Sequence, residues 1–245
     1  MIKIRDLEVK LGNFKLVIPR LDISDGEYLI VMGPSGVGKT IFLNTLAGFI
    51  KPYRGRIYLN NLDITDQPPE YRRFAIIPED YGLFPHMTVY GNISYGLKVR
   101  GLNDSIIKAR VIEIAKILEI DKLLDRYPDS LSAGQKQRVA LARALIINPN
   151  VILLDEPLKS LDPRIHAKAI SFLKEIHSRI KFTAIHVTHN IIEAVELGDE
   201  IAFIKDGCLI GVFKPVEFLN SMYGRQYLDS MKPLMKLVKF NRELD

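Results

Sequence analysis

The sequence predicts an α/β protein with a mostly parallel sheet, an antiparallel β flank at the N-terminal side and an inserted lobe of helices. Short apolar strands alternate with helical segments over residues 27–77 and 135–213, which is typical of a parallel sheet covered on both faces. Residues 2–23 alternate apolar and polar side chains, which is typical of antiparallel strands. Over residues 83–129 the apolar positions change to helical spacing, and this change indicates the inserted lobe.

Each strand is predicted from a short apolar or alternating segment that ends at turn residues. The first alternation slips near Asp6, a compact apolar segment ends at Gly33, and Pro78 closes another. A hairpin is expected around Asp206-Gly207. The predicted strands are residues 2–9, 16–18, 21–23, 27–32, 57–59, 75–77, 151–154, 183–187, 201–205 and 208–213.

Helices are predicted where apolar residues share one face. Gly48 ends the first helix, Pro149 follows the end of a later one, and Pro163 stands at the first position of another. The predicted helices are residues 39–47, 107–118, 135–147, 163–179 and 191–197. We therefore expect a core at residues 1–82 and 131–213, a helical lobe at 83–130 and a C-terminal helical tail at 214–245.

Composition excludes several classes of protein. The 245 residues are 47% apolar and 26% charged, which are ordinary values for a globular chain. No apolar stretch approaches the 18 or so residues that span a bilayer, and the N-terminus lacks the apolar stretch of a signal peptide, so a cytosolic location is expected. The single cysteine, Cys208, excludes a disulfide framework. A net charge of +5 without basic clusters gives no indication of nucleic-acid binding.

A glycine-rich loop joins a predicted strand to a predicted helix. It reads Gly33-Pro34-Ser35-Gly36-Val37-Gly38-Lys39-Thr40 and fits the pattern G-x-x-x-x-G-K-[ST]. Glycines let successive backbone N–H groups point at phosphate oxygens, and the helix N-terminus adds a positive dipole. Lys39 is expected to reach the β- and γ-phosphates, and the Thr40 hydroxyl to bind Mg²⁺.

Two acidic residues follow the apolar strand at 151–154. In parallel sheets ligands bind at the carboxyl ends of the strands, which is where Asp155 and Glu156 are predicted. Asp155 is expected to hold Mg²⁺, and Glu156 to polarise the attacking water as a general base. An acid in this position is otherwise a helix cap or part of an ion pair, but the preceding phosphate loop favours the catalytic role.

A second anion site is predicted at the start of a later helix, where the chain reads Leu131-Ser132-Ala133-Gly134-Gln135. One subunit has no need of two phosphate cradles, whereas two copies facing head to tail would use both.

In this order the motifs resemble those of the ABC ATPases, the nucleotide-binding subunits of ATP-driven transporters. The resemblance runs from Leu7 to Phe213. It implies a P-loop NTPase core, ATP and Mg²⁺ as cofactors, and a dimer that holds ATP between two copies. Residues Ser132, Ala133, Gly134 and Gln135 match the signature motif, usually Ser-Gly-Gly-Gln, that contacts the nucleotide.

The resemblance also implies roles for two later residues. Asp162, in Ser160-Leu161-Asp162, matches the loop that crosses the dimer interface. His189 matches the switch histidine that contacts the γ-phosphate. His186, inside the preceding strand, is expected to be an ordinary histidine without a role in the site.

Three positions depart from the family pattern. Glu79 stands where the family usually has a glutamine that binds Mg²⁺, and its carboxylate is expected to keep that role. Ala133 replaces the first signature glycine, which is tolerable if that position does not need a positive φ. The aromatic residue that usually stacks on adenine is replaced by Leu11, and Phe14 either substitutes for it or belongs to the core.

A phosphate loop occurs in three different classes of function. An unrelated P-loop kinase or GTPase is disfavoured by the signature motif, and a DNA-repair or ribosome-type ABC ATPase by the absence of a long coiled coil and of a second cassette. The importer class is favoured because the chain most resembles the short archaeal-type molybdate/tungstate importer ATPases, for instance at Pro68-Pro69-Glu70 and Tyr95-Gly96-Leu97. Importers of sulfate, sugars or polyamines remain alternatives. The expected partners are membrane permease subunits at the cytoplasmic face of the membrane and, indirectly, an extracytoplasmic solute-binding protein.

Overall fold

The computed structural model describes residues 1–159 and 161–229. Ser160 of the expected interface loop and residues 230–245 of the expected tail lie outside the described residues. Within them, ten strands form one sheet in the order β5-β4-β1-β2-β10-β9-β3-β8-β7-β6. The strands are β1 (Ile2–Leu11), β2 (Phe14–Ile23), β3 (Tyr28–Met32), β4 (Arg54–Leu59), β5 (Leu62–Asp63), β6 (Phe74–Ile77), β7 (Val151–Asp155), β8 (Ala184–Thr188), β9 (Glu200–Lys205) and β10 (Cys208–Phe213).

The helices lie where the sequence predicts them, with additions. A short helix after β5 had no counterpart among the predicted elements, whereas a short helix after β10 lies at the start of the predicted C-terminal helical tail. The described helices are α1 (Lys39–Ala47), α2 (Pro69–Arg72), α3 (Val89–Val99), α4 (Asp104–Ile117), α5 (Ala133–Leu145), α6 (Pro163–Ile180), α7 (Ile191–Leu197) and α8 (Pro215–Asn220). The predicted α/β class is thereby confirmed.

The parallel half of the sheet determines where the site lies. Strands β9, β3, β8, β7 and β6 run parallel to one another, with β3 between β9 and β8. Their carboxyl ends therefore meet at one edge of the sheet, which is where parallel α/β sheets bind ligands. The loops after β3, β6, β7 and β8 carry Gly33, Glu79, Glu156 and His189 to this edge.

The N-terminal flank is antiparallel, and one prediction there was wrong. Residues 16–18 and 21–23 were expected to be separate strands, but β2 is continuous and pairs with β1 along its length. Its Pro19 lies opposite the irregularity at Asp6, which has a φ of 48°. Proline has no N–H to donate, and the position of Asp6 and Pro19 is left out of a β1–β2 pairing whose register is otherwise unshifted.

Two apolar cores lie on the two faces of the sheet. Alternate residues of β3 face opposite ways, so Tyr28, Ile30 and Met32 join one core and Leu29 and Val31 join the other. The first core contains the helices between β6 and β7 together with α6 and α7. The second is formed by α1 against the N-terminal flank. The strands that carry the site are therefore buried on both faces.

Helices α3 and α4 form the segment that the sequence predicts as a helical lobe. Thr88 caps α3 by accepting a hydrogen bond from the Gly91 N–H at 3.1 Å. Asn103 caps α4 in the same way through the Ser105 N–H at 2.9 Å. In the part of the chain that the structure describes, no helix is long and apolar enough to cross a bilayer.

Candidate functional site

The glycine-rich loop leaves β3 close to the neighbouring strand β9. A Cβ on Gly33 would lie 2.1 Å from the carbonyl oxygen of Ile204, so this position has no room for a side chain. Gly38 has a φ of +99°, and a Cβ there would lie 2.7 Å from the Phe14 ring. These two glycines fix the path of the loop into α1.

Lys39 and Thr40 are the last residues of this loop and the first of α1. The Lys39 ammonium donates hydrogen bonds of 2.9 Å to the carbonyl oxygens of Gly33 and Pro34, and the side chain is buried. Burial lowers the pKa of Lys39, and the charges of Glu156 and Asp155 act in the opposite direction. The loop therefore holds a cation inside a concave backbone, which is an arrangement that binds anions.

Three acids come to the same edge of the sheet as the loop. A cavity of about 340 Å³ is lined by Ser35, Gly36, Gly38, Lys39, Thr40, Ile41, Glu79, Asp155, Glu156 and Lys159. Thr40 donates a 3.2 Å hydrogen bond to Asp155. Burial chiefly, and then the charges of Glu156 and Glu79, raise the pKa of Asp155. A divalent cation beside Asp155 would relieve this repulsion.

The oxygen atoms of Thr40 and Asp155 are of the kind that Mg²⁺ prefers. Among residues 1–159 and 161–229, no three His, Cys, Asp or Glu side chains come together as a metal site. Mg²⁺ usually takes one or two carboxylates, with phosphate and water oxygens completing its shell. The residues present therefore fit a magnesium ion that arrives with a phosphate ligand.

Glu156 also lines a neighbouring cavity, where it meets His189. His189 Nδ1 lies 3.1 Å from Glu156 Oε2, and the backbone of Glu156 has a positive φ of 45°. Such a φ is strained for a residue other than glycine, and strained residues often occur at functional sites. His186 is fully buried in β8.

The signature residues lie in another cavity. Ser132 caps α5, accepting from the Gln135 N–H at 3.3 Å, while the Gln135 side chain accepts from the Ser132 N–H at 3.0 Å. This capping box starts α5 at Ala133, so the predicted start at residue 135 was two residues late. Ser132, Gly134 and Gln135 line a separate cavity of about 310 Å³ with residues of α6. Ala133 has an ordinary helical conformation, which meets the condition for its tolerance.

Other predicted residues have visible local roles. Asp162 caps α6 by accepting from the Arg164 and Ile165 N–H groups, each at 3.1 Å. Val37 is buried in the core below the loop. Phe14 packs under Gly38, whereas Leu11 is exposed at the end of the same hairpin.

The model of one protein family, described as ABC transporter, matches residues 18–159. The chain belongs to this family. Its match includes the glycine-rich loop, the signature residues and the two acids after β7, which are the parts of the molecule described above.

Curated ABC relatives are similar over most of the chain. A molybdate/tungstate import ATP-binding protein of Pyrococcus abyssi is 45% identical over 86% of this chain and 62% of that protein, so the chain spans about three-fifths of its length. One of the same description from Archaeoglobus fulgidus is 42% identical over 97% of this chain and 98% of that protein. A probable sulfate/thiosulfate import ATP-binding protein of Chlorella vulgaris is 41% identical over 86% and 90%.

A solved ABC structure has the same fold. It is the dimer of the ATP-binding cassette MJ0796 in a post-hydrolysis state, bound to ADP and phosphate. It is 30% identical to this chain, with a TM-score of 0.74, over 88% of this chain and 99% of that one.

The ABC motifs did not indicate two features of the site. Lys159 lies between Glu79 and Glu156; the only signal in the sequence is a lysine closely following the Asp-Glu pair. Arg143 of α5 donates to the carbonyl oxygens of Tyr81 at 3.1 Å and Gly82 at 2.6 Å. It therefore ties the loop after Glu79 to the helix that begins at the signature residues.

A buried polar network also went unpredicted. His186 Nε2 lies 3.2 Å from Glu193 Oε2, and His166 Nε2 lies 2.6 Å from Glu193 Oε1. The Tyr28 hydroxyl lies 2.9 Å from His186 Nδ1. The network joins β3, β8, α6 and α7 below the phosphate loop and the switch histidine.

Proposed function

We propose that the chain is the ATP-binding and ATP-hydrolysing subunit of an ABC importer for molybdate- or tungstate-type oxyanions. The observation that carries the ATPase part is the cavity in which the Lys39 loop faces Asp155 and Glu156. The import part rests on relatives named for molybdate/tungstate import at 42–45% identity. The subunit would act at the cytoplasmic face of the membrane, bound to permease subunits that receive solute from an extracytoplasmic binding protein.

Each residue of the cavity has a role in this proposal. The backbone from Gly33 to Thr40 and the Lys39 ammonium bind the β- and γ-phosphates. Thr40 and Asp155 hold Mg²⁺, and Glu79 is the third candidate ligand. The metal would neutralise charge on the phosphate oxygens.

Hydrolysis is assigned to Glu156. Its carboxylate would accept a proton from the attacking water, and His189, 3.1 Å away, would orient Glu156 and contact the γ-phosphate. Glu156 lines the phosphate cavity, and its backbone has a positive φ of 45°.

A second copy would complete the site. Ser132, Ala133, Gly134 and Gln135 lie away from the phosphate loop of their own chain and would contact the nucleotide of the partner, with Asp162 near the interface. Closing both faces of the γ-phosphate stabilises the charge that develops during transfer. The ABC dimer bound to ADP and phosphate supports this arrangement.

The Glu156→Gln variant tests the ATPase assignment. It should bind ATP as the wild type does, lose nearly all turnover, and elute as a dimer with ATP during gel filtration. Glu175→Gln, on the exposed face of α6, is the matched control and should leave turnover unchanged. Turnover near the wild-type rate in Glu156→Gln would show that another group is the base.

Protein concentration tests the dimer separately. The ATPase rate per subunit should rise steeply with concentration in the range where dimers form. A constant rate in a protein that stays monomeric throughout would contradict the shared site.

The solute is tested with the subunit, its permease and its binding protein reconstituted in vesicles. Molybdate or tungstate should stimulate ATP hydrolysis. A sulfate importer is the second candidate, because the relative named for sulfate/thiosulfate import is 41% identical. Stimulation by sulfate alone would favour it.

A further inference from the structure

The phosphate cavity contains three acidic side chains, and the phosphate-loop motif supplies one lysine to balance them. Asp155, Glu156 and Glu79 line it together with Lys39. The Lys39 ammonium already donates to two backbone carbonyl groups. Glu79 in particular adds a negative charge where a triphosphate would have to bind, and unscreened like charges at this range repel.

Lys159 is placed to offset Glu79. Its Nζ lies 3.1 Å from Glu79 Oε1 and 3.5 Å from Glu156 Oε2. Lys159 also donates a hydrogen bond of 3.3 Å to the other Glu79 oxygen, Oε2, so both carboxylate oxygens of Glu79 lie close to this ammonium. The Lys159 N–H also donates to the Glu156 carbonyl oxygen at 3.2 Å, and this turn brings the side chain back over the cavity.

The pair joins two strands that are distant in the sequence. Glu79 follows β6 and Lys159 follows β7, which are parallel neighbours in the sheet. Both side chains are about half exposed, at 51% and 47%, so Glu79 is free to change partner. An ion pair this exposed adds little to folding stability, which leaves its effect on the charge of the cavity as its main consequence.

We propose that Lys159 is a positioning residue of the nucleotide site, which holds Glu79 at the edge of the cavity and cancels its charge, so that the site accepts ATP before any metal is bound. This inference rests on the proposed function, since it requires that the cavity binds ATP. It makes Glu79 and Lys159 one unit, and it gives the two single variants opposite effects.

Charge balance sets the expected sizes. Lys159→Met leaves Glu79 unpaired, and metal-free ATP affinity should fall about tenfold. Glu79→Gln removes one negative charge and leaves Lys159 beside Glu156 alone, and affinity should rise several-fold. These values correspond to one charge roughly 6–8 Å from the terminal phosphate at an effective dielectric of about 20, discounted for screening. The double variant restores the balance and should return to within about twofold of the wild type.

The experiment measures ATP affinity of the full chain by calorimetric titration in EDTA. The proteins are the wild type, Lys159→Met, Glu79→Gln, the double variant and Lys159→Arg. The arginine variant keeps the charge and should bind within about twofold of the wild type. Lys174→Met is the control. Lys174 of α6 pairs with Glu196 of α7 and does not line the phosphate cavity, so this change should leave ATP affinity unaltered.

Two further readouts separate this role from a structural one. ADP lacks the terminal phosphate, so its affinity should change less than that of ATP in both single variants. Raising the ionic strength should shrink the differences, because exposed charges are screened. The melting temperatures of the variants and the wild type should agree within a few degrees. If Lys159→Met folds poorly, the ATP affinity of Glu79→Gln still tests the inference by itself.

The outcomes are distinct. Single variants that bind metal-free ATP within twofold of the wild type, or that shift affinity in the same direction, overturn the inference. A wild-type protein that binds no ATP with or without Mg²⁺ overturns the proposed function, and this inference with it. Wild-type binding with no coupling in the double variant overturns the inference alone.

Discussion

Replacing Glu193 by glutamine should destabilise the fold by about 2 kcal/mol at neutral pH. Its side chain is 3% exposed and lies 2.6 Å from His166 and 3.2 Å from His186. Hydrogen bonds to a charged group contribute about 1.5–3 kcal/mol each, and glutamine keeps the shape and one acceptor. For a chain of this size the loss corresponds to a melting temperature about 4–8 °C lower.

The pKa shift of Glu193 determines how this destabilisation changes with pH. Burial acts to raise the pKa of Glu193, but hydrogen bonds from His186, His166 and Thr188 and the His186 charge outweigh it, so the pKa lies below its usual value. A carboxyl with a lowered folded-state pKa contributes stability above its unfolded pKa of about 4.3, and that contribution is lost as pH falls through the folded value. The difference between wild type and Glu193→Gln should be present at pH 7 and pH 5, and should shrink only below about pH 4.

The assay is thermal and urea unfolding of both proteins from pH 3 to pH 7. Glu196→Gln is the control, because Glu196 is on the same helix, is exposed, and pairs with Lys174 at 3.0 Å. Its effect should stay within about 0.5 kcal/mol. A Glu193→Gln effect as small as this control, or one that does not change down to pH 3, would refute the reasoning.

Two further predictions concern the phosphate loop. Lys39→Ala should weaken ATP binding at least about tenfold by titration, because it removes a charged donor to the phosphates; equal affinity would exclude Lys39 from the phosphate site. Gly38→Ala should destabilise the loop by roughly 2–3 kcal/mol, because its φ of +99° strains an L-residue and its Cβ would lie 2.7 Å from the Phe14 ring. Adding Phe14→Leu should recover only part of this loss in urea unfolding, and full recovery would show that the strain comes from the ring alone.

Short-range patterns in the sequence were sufficient to predict the motifs. The glycine-rich loop, the Asp155-Glu156 pair and the Ser132 cap are each defined by a few adjacent residues and by the strand or helix beside them. Hydrophobic periodicity also located most strands and helices correctly. The continuous β2 was missed because Pro19 locally indicates a break, whereas the structure places it opposite Asp6 at a position left out of the β1–β2 pairing.

The sequence by itself thus determined the fold class, the order of the motifs and the residues proposed to bind phosphate, because these follow from short-range pattern. Only the tertiary structure decided that Lys159 meets Glu79, eighty positions away along the chain, and that His166 and His186 share Glu193. These contacts depend on which strands lie next to each other in the sheet. That order is set by long-range packing of both faces, and no local pattern of residues encodes it.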